Sequence, residues 1–276
     1  MESSPIATKQ LSTELLSTNP RLSSALADYQ SITGAVPIQI ETLQGTGNQS
    51  YKIILKDESV VLRLNADTRH LGVDRALEKR ILVAISGRGI TPQLKLWRDD
   101  YLVVEYIENS HRVTASTLAT TLNTLHSTPM PQELWNAAPW TPPQTIRHYL
   151  ALAEEIEETE DVQNIVAPQL ELLDRFDWTS LPYGLCHIDL NPGNILQPKD
   201  GGPALLIDWE YSRPGPIAYD FAVYFETHHS SFEQQEALRS FCKKAPSRDQ
   251  IKLCRQAYRL IELLWLQLTM GERGSE

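Results

Sequence analysis

The stretch CHIDLNPGNIL at residues 186–196, followed by LLIDWEY at residues 205–211, decides how this chain folds and what chemistry it can carry. Asp189 and Asn194 stand five residues apart in the first segment, and Asp208 follows an apolar run in the second. A carboxylate can accept a hydroxyl proton, whereas an asparagine and a second aspartate offer the oxygen ligands that Mg²⁺ prefers. Short apolar runs on both sides of a Gly-Gly turn predict a hairpin that brings these groups together. The pattern therefore predicts a phosphoryl-transfer site, with Asp189 as the catalytic base and with Asn194 and Asp208 as metal ligands.

The order His-x-Asp, then Asn, then Asp resembles the catalytic and metal loops of the protein-kinase-like fold. The Leu-Asn-Pro-Gly sequence after Asp189 and the Asp-Trp-Glu-Tyr element that begins at Asp208 are similar to the aminoglycoside phosphotransferase and choline kinase superfamily, most of all to its choline, ethanolamine and thiamine kinase branch. The resemblance covers about residues 36–228. It implies an ATP- and Mg²⁺-dependent kinase with a small alcohol as acceptor. It also implies that His187 and Asp220 are structural supports of the catalytic loop.

Hydrophobic periodicity changes once along the chain. Residues 38–105 read as short strands with one helical block, whereas the residues after 114 space their apolar side chains at three and four, as helices do. Together with the resemblance, this predicts an α+β, bilobal, protein-kinase-like fold. The expected N-terminal lobe, residues 1–107, has a helical lead-in and a small, five-stranded, antiparallel sheet that binds the nucleotide. The expected C-terminal lobe, residues 108–276, is larger and mainly helical.

A second candidate site lies in the predicted N-terminal lobe, where LQGTGNQSY at residues 43–51 joins two strand-like runs. Its glycines could bring backbone N–H groups close to phosphates, although a plain hairpin turn is the alternative. Arg63 and Glu78 resemble the strand cation and helix glutamate of kinases, with arginine in place of the usual lysine. An exposed strand charge at Arg63 and a surface pair between Arg75 and Glu78 are the competing interpretations. The predicted nucleotide-binding residues are Gly45, Gly47, Asn48, Ser50, Arg63, Glu78, Glu105 and Ile107, the last two at the end of the lobe.

The acceptor pocket is predicted from aromatic and acidic residues near the metal loop. A small organic cation is attracted to aromatic faces and to carboxylates, although aromatic residues at helical spacing are more often core. The candidates for substrate binding are Trp209, Glu210, Tyr224 and Glu226, and Glu210 has an outer metal shell as its alternative. Family members with choline or thiamine activity place a glutamate seven residues after the aspartate that corresponds to Asp220. This chain has Thr227 there, so it stays open whether Glu226 replaces that glutamate.

Composition limits the partners. The chain has 276 residues and a formal net charge of -10, which argues against nucleic acid and anionic membranes and agrees with a cationic substrate. The sequence shows no apolar run long enough for a membrane span and no signal peptide, so a cytoplasmic location is expected. The three cysteines form neither an even disulfide set nor a C-x-x-C pair and are read as plain thiols.

The sequence thus predicts an ATP-dependent phosphotransferase that moves the γ-phosphate to a hydroxyl of a small cation of choline, thiamine or ethanolamine type. An aminoglycoside phosphotransferase or another small-alcohol kinase is the alternative. A nucleotide-binding pseudokinase is less favoured, because Asp189, Asn194 and Asp208 are all present. A metal-dependent hydrolase would need further ligands at helical spacing, which the adjacent His228 and His229 do not supply. The acceptor, the preference for ATP or GTP and the oligomeric state stay open.

Overall fold

The computed structural model describes residues 15–45, 47–110, 112–130, 140–154 and 160–273 of the chain. These residues form two compact units. The sheet unit contains the residues up to Thr68 together with Thr91–Glu108, and the helical unit contains Arg69–Ile90 together with the residues from Asn109 onward. The division between residues 107 and 108 that the sequence favours stays a prediction.

Among the described residues of the sheet unit, a helix at residues 20–33 precedes a five-stranded antiparallel sheet. Asn19 caps the helix by accepting the Leu22 N–H at 3.0 Å, and Gly34 ends it in a left-handed conformation. The helix packs Leu22, Leu26 and Tyr29 into a core with the sheet. The elements are α1 (Pro20–Thr33), β1 (Gln39–Leu43), β2 (Gln49–Ile54), β3 (Ser59–Leu64), β4 (Leu94–Trp97) and β5 (Tyr101–Glu105), with the strand order β1-β2-β3-β5-β4.

The helical unit surrounds two short β-ribbons with helices. Its longest helix buries apolar residues at spacings of three and four, including Ile251, Leu260, Leu264 and Leu268, so one face packs on the unit while the other is polar. The helices are α2 (Arg75–Ile85), α3 (Ala115–Leu125), α4 (Pro142–Ala153), α5 (Glu160–Asp174), α6 (Ala218–Thr227), α7 (Phe232–Phe241) and α8 (Arg248–Arg273). The ribbons pair β6 (Tyr183–Cys186) with β9 (Arg213–Pro216), and β7 (Ile195–Leu196) with β8 (Leu205–Leu206).

The ribbons position the two segments that the sequence singles out. The segment after β6 runs through a short 3₁₀ turn, Pro192–Asn194, into β7, and the segment after β8 enters a second such turn, Trp209–Tyr211, before β9. Both segments therefore connect the same pair of ribbons. Within the described ranges, no helix combines the length and the apolar character that a membrane crossing requires.

Candidate active site

The loop between β6 and β7, which we call the catalytic loop, is anchored by Asp220 in the first turn of α6. The Asp220 side chain is fully buried. One of its oxygens accepts the Ile188 N–H at 2.8 Å, and the other accepts the His187 N–H at 3.1 Å and lies 2.9 Å from Nε2 of His126. Three donors on one buried carboxylate fix the backbone of the loop. The predicted role of Asp220 as a structural support of this loop is compatible with these contacts and stays a prediction.

Strained backbone marks both loops of the site. Ile188 has φ 72° and Asp208 has φ 63°, in the left-handed region that residues with a side chain rarely adopt. The cost is highest for a β-branched residue such as Ile188, so the surrounding contacts must hold it in place. The two bonds from the catalytic loop to Asp220 do so, since they fix the peptides on both sides of His187, and the second of these peptides leads directly into Ile188. The fixed backbone conformation of the two loops thus limits where the carboxylates of Asp189 and Asp208 can lie.

His187 joins the two loops. Its Nε2 donates to the carbonyl oxygen of Ile207 at 2.9 Å, and the ring of Trp209 packs against its ring edge to face, with the centroids 4.8 Å apart. Complete burial lowers the pKa of His187, so the ring is neutral near pH 7. A neutral ring that donates its one proton to a backbone carbonyl links the two loops, and the structural role of His187 stays a prediction.

Asp189 has its carboxylate aimed by two asparagines. One oxygen accepts from Nδ2 of Asn191 at 2.9 Å, and the other accepts from Nδ2 of Asn194 at 2.8 Å. Burial raises the pKa of Asp189, while these hydrogen bonds oppose the rise. Residue 189 as a whole has intermediate exposure, which leaves a path for a substrate hydroxyl to approach. Sequence reasoning missed Asn191, although its place before Pro192 and Gly193 is typical of a side chain that caps a turn.

The predicted metal ligands are brought together by the β7–β8 ribbon. Ile195 pairs with Leu206, and the Ile207 N–H donates to the carbonyl oxygen of Asn194 at 3.0 Å, which sets Asn194 beside the residue that precedes Asp208. Nδ2 of Asn194 is used by Asp189, so its amide oxygen is the atom that can face a cation. An amide oxygen together with carboxylates is the hard donor set that suits Mg²⁺. The residues present therefore fit the expected ion.

Glu210 and Glu78 share one arginine. Nη1 of Arg75 lies 2.7 Å from Oε2 of Glu210 and 2.8 Å from Oε2 of Glu78. The side chains of Glu78 and Glu210 are 0% and 7% exposed, so this is not the solvated surface pair that the sequence offers as an alternative for Glu78. The structure places Glu78, a predicted nucleotide ligand, in the helical unit. Through Arg75 it lies beside the segment 208–211 that follows β8, which we call the metal loop.

Aromatic residues from α4 and from the turn after Asp208 lie in the surroundings of Asp189. Burial raises the pKa of Tyr149 to about 12, and the charges of Arg213, Asp189 and Glu210 all act on this phenol. Burial also raises the pKa of Tyr211, against a hydrogen bond to Trp265. Tyr149 belongs to α4, whereas Tyr211 ends the short 3₁₀ turn after Asp208. Tyr211 and Trp265 are among the aromatic residues that the sequence offers for contact with a cation, whereas Tyr149 carries no such signal.

Two of the predicted acceptor residues have structural partners. Trp209 is buried, and its indole N–H donates to the carbonyl oxygen of Leu206 at 3.0 Å. Tyr224 stacks on His228, with ring centroids 3.9 Å apart. These contacts give both rings a packing role, and they do not support direct contact with a substrate.

Glu226 is neutralised by two arginines of α8. It forms an ion pair with Arg255 and accepts from Nη2 of Arg259 at 3.0 Å. Burial raises the pKa of Glu226, but the hydrogen bonds from the two arginines outweigh it and hold the pKa below its usual range. A carboxylate with two cationic partners has little charge to offer a cationic acceptor. The structure therefore does not support Glu226 as a substitute for the family glutamate.

The remaining predicted nucleotide residues lie in the sheet unit. Ser50 stands directly opposite Arg63 in the pairing of β2 with β3. Arg63 is buried and its Nη2 donates to Oδ1 of Asn65 at 3.0 Å, which is not the position of an exposed strand charge. The side-chain oxygen of Asn48 accepts the N–H of Ala66 at 2.9 Å. Gly45 and Gly47 flank residue 46, which lies outside the described ranges, and Glu105 ends β5 with Ile107 two residues beyond.

Comparison with known structures identifies the fold. The chain superimposes on choline kinase LicA from Streptococcus pneumoniae with a TM-score of 0.75 and 22% identity, covering 92% of each chain. It also superimposes on spectinomycin phosphotransferase APH(9)-Ia with a TM-score of 0.62 and 13% identity, covering 88% of this chain and 86% of that one. The predicted α+β, protein-kinase-like fold, with an antiparallel sheet followed by a mainly helical region, is confirmed.

Sequence comparison identifies the family. Residues 40–253 match the model of the phosphotransferase enzyme family, so the chain belongs to that family. Probable choline kinase 1 of Arabidopsis thaliana is 30% identical over 179 residues, which are 60% of this chain and 51% of that protein. Ethanolamine kinase of Saccharomyces cerevisiae is 28% identical over 79 residues, which are 26% of this chain and 15% of that protein. The matches span about half or less of the length of these curated relatives.

Proposed function

We propose that the protein transfers the γ-phosphate of ATP to a hydroxyl group of a small cation of choline, ethanolamine or thiamine type. The observation that carries the proposal is the carboxylate of Asp189, which is aimed by Asn191 and Asn194 at 2.9 and 2.8 Å. A base held in this way can orient an alcohol and take its proton as the alcohol attacks phosphorus. Family membership supports the same reaction class.

Each residue of the catalytic loop has one task in this proposal. Asp189 accepts the hydroxyl proton, and the rise of its pKa by burial makes it a stronger base than an exposed aspartate. Asn194 and Asp208 would hold Mg²⁺, which neutralises phosphate charge when it is bound with ATP. His187 has no acid or base task, because Nε2 donates to a backbone carbonyl.

The sheet unit supplies the nucleotide contacts in this proposal. Arg63 would neutralise phosphate charge, and the loop around Gly45 and Gly47 would offer backbone N–H groups. Backbone groups of Glu105 and Ile107 would contact the base. One of the compared structures is LicA in complex with AMP, and another is the spectinomycin phosphotransferase with ADP, which supports nucleotide use in proteins of this fold.

The acceptor class rests on the aromatic and acidic residues near Asp189. Tyr211 and Trp265 are partly buried, and the hydroxyl of Tyr258 donates to Oε1 of Glu262 at 2.8 Å. The Glu262 side chain is exposed, so its carboxylate can face a cation that lies on these rings. We therefore propose Tyr211, Tyr258, Trp265 and Glu262 as the cation site, in place of Tyr224 and Glu226.

An ATP-consumption screen tests this function. The acceptors are choline, ethanolamine, thiamine and spectinomycin, each with the wild-type protein and with Asp189→Asn as the matched inactive control. We expect phosphorylation of one of the first three, dependent on Asp189. Phosphorylation of spectinomycin alone would favour the aminoglycoside alternative, and ATP binding without any acceptor-dependent turnover would favour the pseudokinase.

A further inference from the structure

Arg75, the first residue of α2, sits between two buried carboxylates. Its Nη1 lies 2.7 Å from Glu210 and 2.8 Å from Glu78, and its own side chain is only 15% exposed. The first contact joins residues 135 positions apart, so it links α2 to the turn after Asp208. Removing a cation that contacts a buried carboxylate is costly, because the charge of the carboxylate is then less well compensated. Arg75 is thus placed to decide where the Glu210 carboxylate rests.

The start of α2 is itself fixed from outside the helix. Three consecutive carbonyl oxygens before it each accept a hydrogen bond from a different side chain. Nε2 of His148 donates to His70 at 2.6 Å, the Tyr149 hydroxyl donates to Leu71 at 3.1 Å, and Nη2 of Arg213 donates to Gly72 at 3.1 Å. We call these three bonds the carbonyl clamp. Because the clamp holds the chain directly ahead of Arg75, the guanidinium approaches Glu210 from a preset position.

Glu210 lies two residues after Asp208, in the short 3₁₀ turn that starts from the strained backbone of Asp208. A turn of three residues has few bonds of its own, so a side-chain anchor strongly affects its conformation. Arg75 provides such an anchor from α2. Side chains that hold metal ligands from the outside typically change metal affinity by about 10- to 100-fold when they are removed.

We propose that Arg75 is a positioning residue that fixes Glu210 and the Asp208 turn, and thereby sets the affinity of the site for Mg²⁺. The proposal rests on the assignment of Asp208 as a metal ligand in the proposed function. Without Arg75, the buried carboxylates of Glu78 and Glu210 lose the cation that they share, and the turn loses its anchor. Lysine keeps the positive charge, but its ammonium has a different reach and lacks the planar, forked donor geometry of the guanidinium, so it should restore the arrangement only in part.

The test measures Mg²⁺-dependent binding of a fluorescent ADP analogue, which requires no acceptor and no turnover. The variants are Arg75→Gln and Arg75→Lys. The matched control is Arg80→Gln, which removes an exposed arginine from the same helix. For Arg75→Gln we expect the Mg²⁺ concentration at half-saturation to rise by about tenfold or more, with a smaller rise for Arg75→Lys. Binding of the analogue without Mg²⁺ and the binding by Arg80→Gln should stay within about threefold of wild type.

A half-saturation for Arg75→Gln within about threefold of wild type would overturn the proposal. An equal loss of Mg²⁺-free binding would also overturn it, because that result describes a general defect. If Arg75→Gln does not fold, the test uses Arg75→Lys alone, and a Mg²⁺ concentration at half-saturation within about threefold of wild type again overturns the proposal. Absence of Mg²⁺-dependent nucleotide binding by the wild type would overturn both the proposed function and this inference, whereas failure to find an acceptor alcohol leaves the binding test intact.

Discussion

The carboxylate of Asp220 accepts the backbone N–H of Ile188 at 2.8 Å, although the two residues are 32 positions apart. This bond and its neighbour from His187 hold the one β-branched residue of the site that has a positive φ among the described residues. The geometry of the catalytic loop therefore depends on a helix that follows it in the chain. Removal of the Asp220 carboxylate should therefore change the position of Asp189, although no described hydrogen bond joins the two side chains.

We expect Asp220→Asn to lower both stability and turnover. An amide has one acceptor oxygen for three donors, so at least one buried donor loses its partner, at a cost of about 1 to 3 kcal/mol. The free energy of unfolding, measured with denaturant, and kcat should both fall, whereas the KM for ATP should change less. Asp249→Asn, an exposed aspartate on α8, is the control. An unchanged free energy of unfolding and an unchanged kcat in Asp220→Asn would show that the conformation of the catalytic loop does not depend on Asp220.

Asp189→Asn should remove proton acceptance while the shape of the loop is kept. We expect kcat to fall by about 10² to 10⁴, the usual range for a general base, with little change in ATP affinity. The measurement is steady-state turnover with a saturating acceptor, together with direct nucleotide binding. Turnover within about threefold of wild type, which is ~0.65 kcal/mol of barrier, is incompatible with the role as base.

Asp208→Ala should abolish Mg²⁺-dependent turnover, because the amide oxygen of Asn194 cannot replace a carboxylate as the main anionic ligand. A titration of activity against Mg²⁺ into the high millimolar range measures the loss. Folding should be retained, as judged by circular dichroism. Full activity at ordinary millimolar Mg²⁺ would place the ion elsewhere.

Asn191→Ala should move the pH dependence of kcat. Burial raises the pKa of Asp189 above its ordinary value, and the hydrogen bond from Asn191 opposes that rise by favouring the ionised form. A base must be ionised, so activity falls as the pH drops through this pKa. Loss of the Asn191 bond raises the pKa further and shifts the acid limb of the profile to higher pH. A shift to lower pH, or an unmoved limb, would contradict the assignment of Asp189 as base.

A neutral isostere tests the cationic acceptor. We expect 3,3-dimethylbutanol to bind more weakly than choline by roughly 1 to 2 kcal/mol, the value of a desolvated cation–π contact. Added salt should weaken the binding of choline and leave the binding of the isostere nearly unchanged. Only choline is held in part by Coulomb attraction, which salt screens. The measurement is the KM of each alcohol at low and high ionic strength. Equal use of both alcohols rejects the cationic class while it leaves the kinase reaction standing.

Local patterns could be predicted from the sequence, and partners far apart in the chain could not. The hairpin that joins Asn194 to the residue before Asp208 lies within one short stretch, so spacing and turn residues were sufficient. The five strands of the sheet unit and the helices after it followed from apolar periodicity. Turn residues and apolar spacing are properties of residues close together in the chain, so they can be read from the sequence alone.

Charged partners show why the rest could not be predicted. Periodicity tells which face of a helix is buried, but it does not tell which distant charge meets that face. Glu226 looked like a ligand for a cation because its arginine partner, Arg259, lies 33 residues further on. Glu78 looked like a partner of Arg63 or of the solvent, and its shared use of Arg75 with Glu210 appears only when α2 and the metal loop are placed together.

The bond between Asp220 and Ile188 also bears on the order of events during folding. Synthesis runs from the N-terminus, so β6 and the catalytic loop leave the ribosome before α6 does. The left-handed conformation of Ile188 has no carboxylate to hold it until α6 has docked. After dilution from denaturant, enzymatic competence should therefore not return before α6 has docked, even where helical content has already recovered.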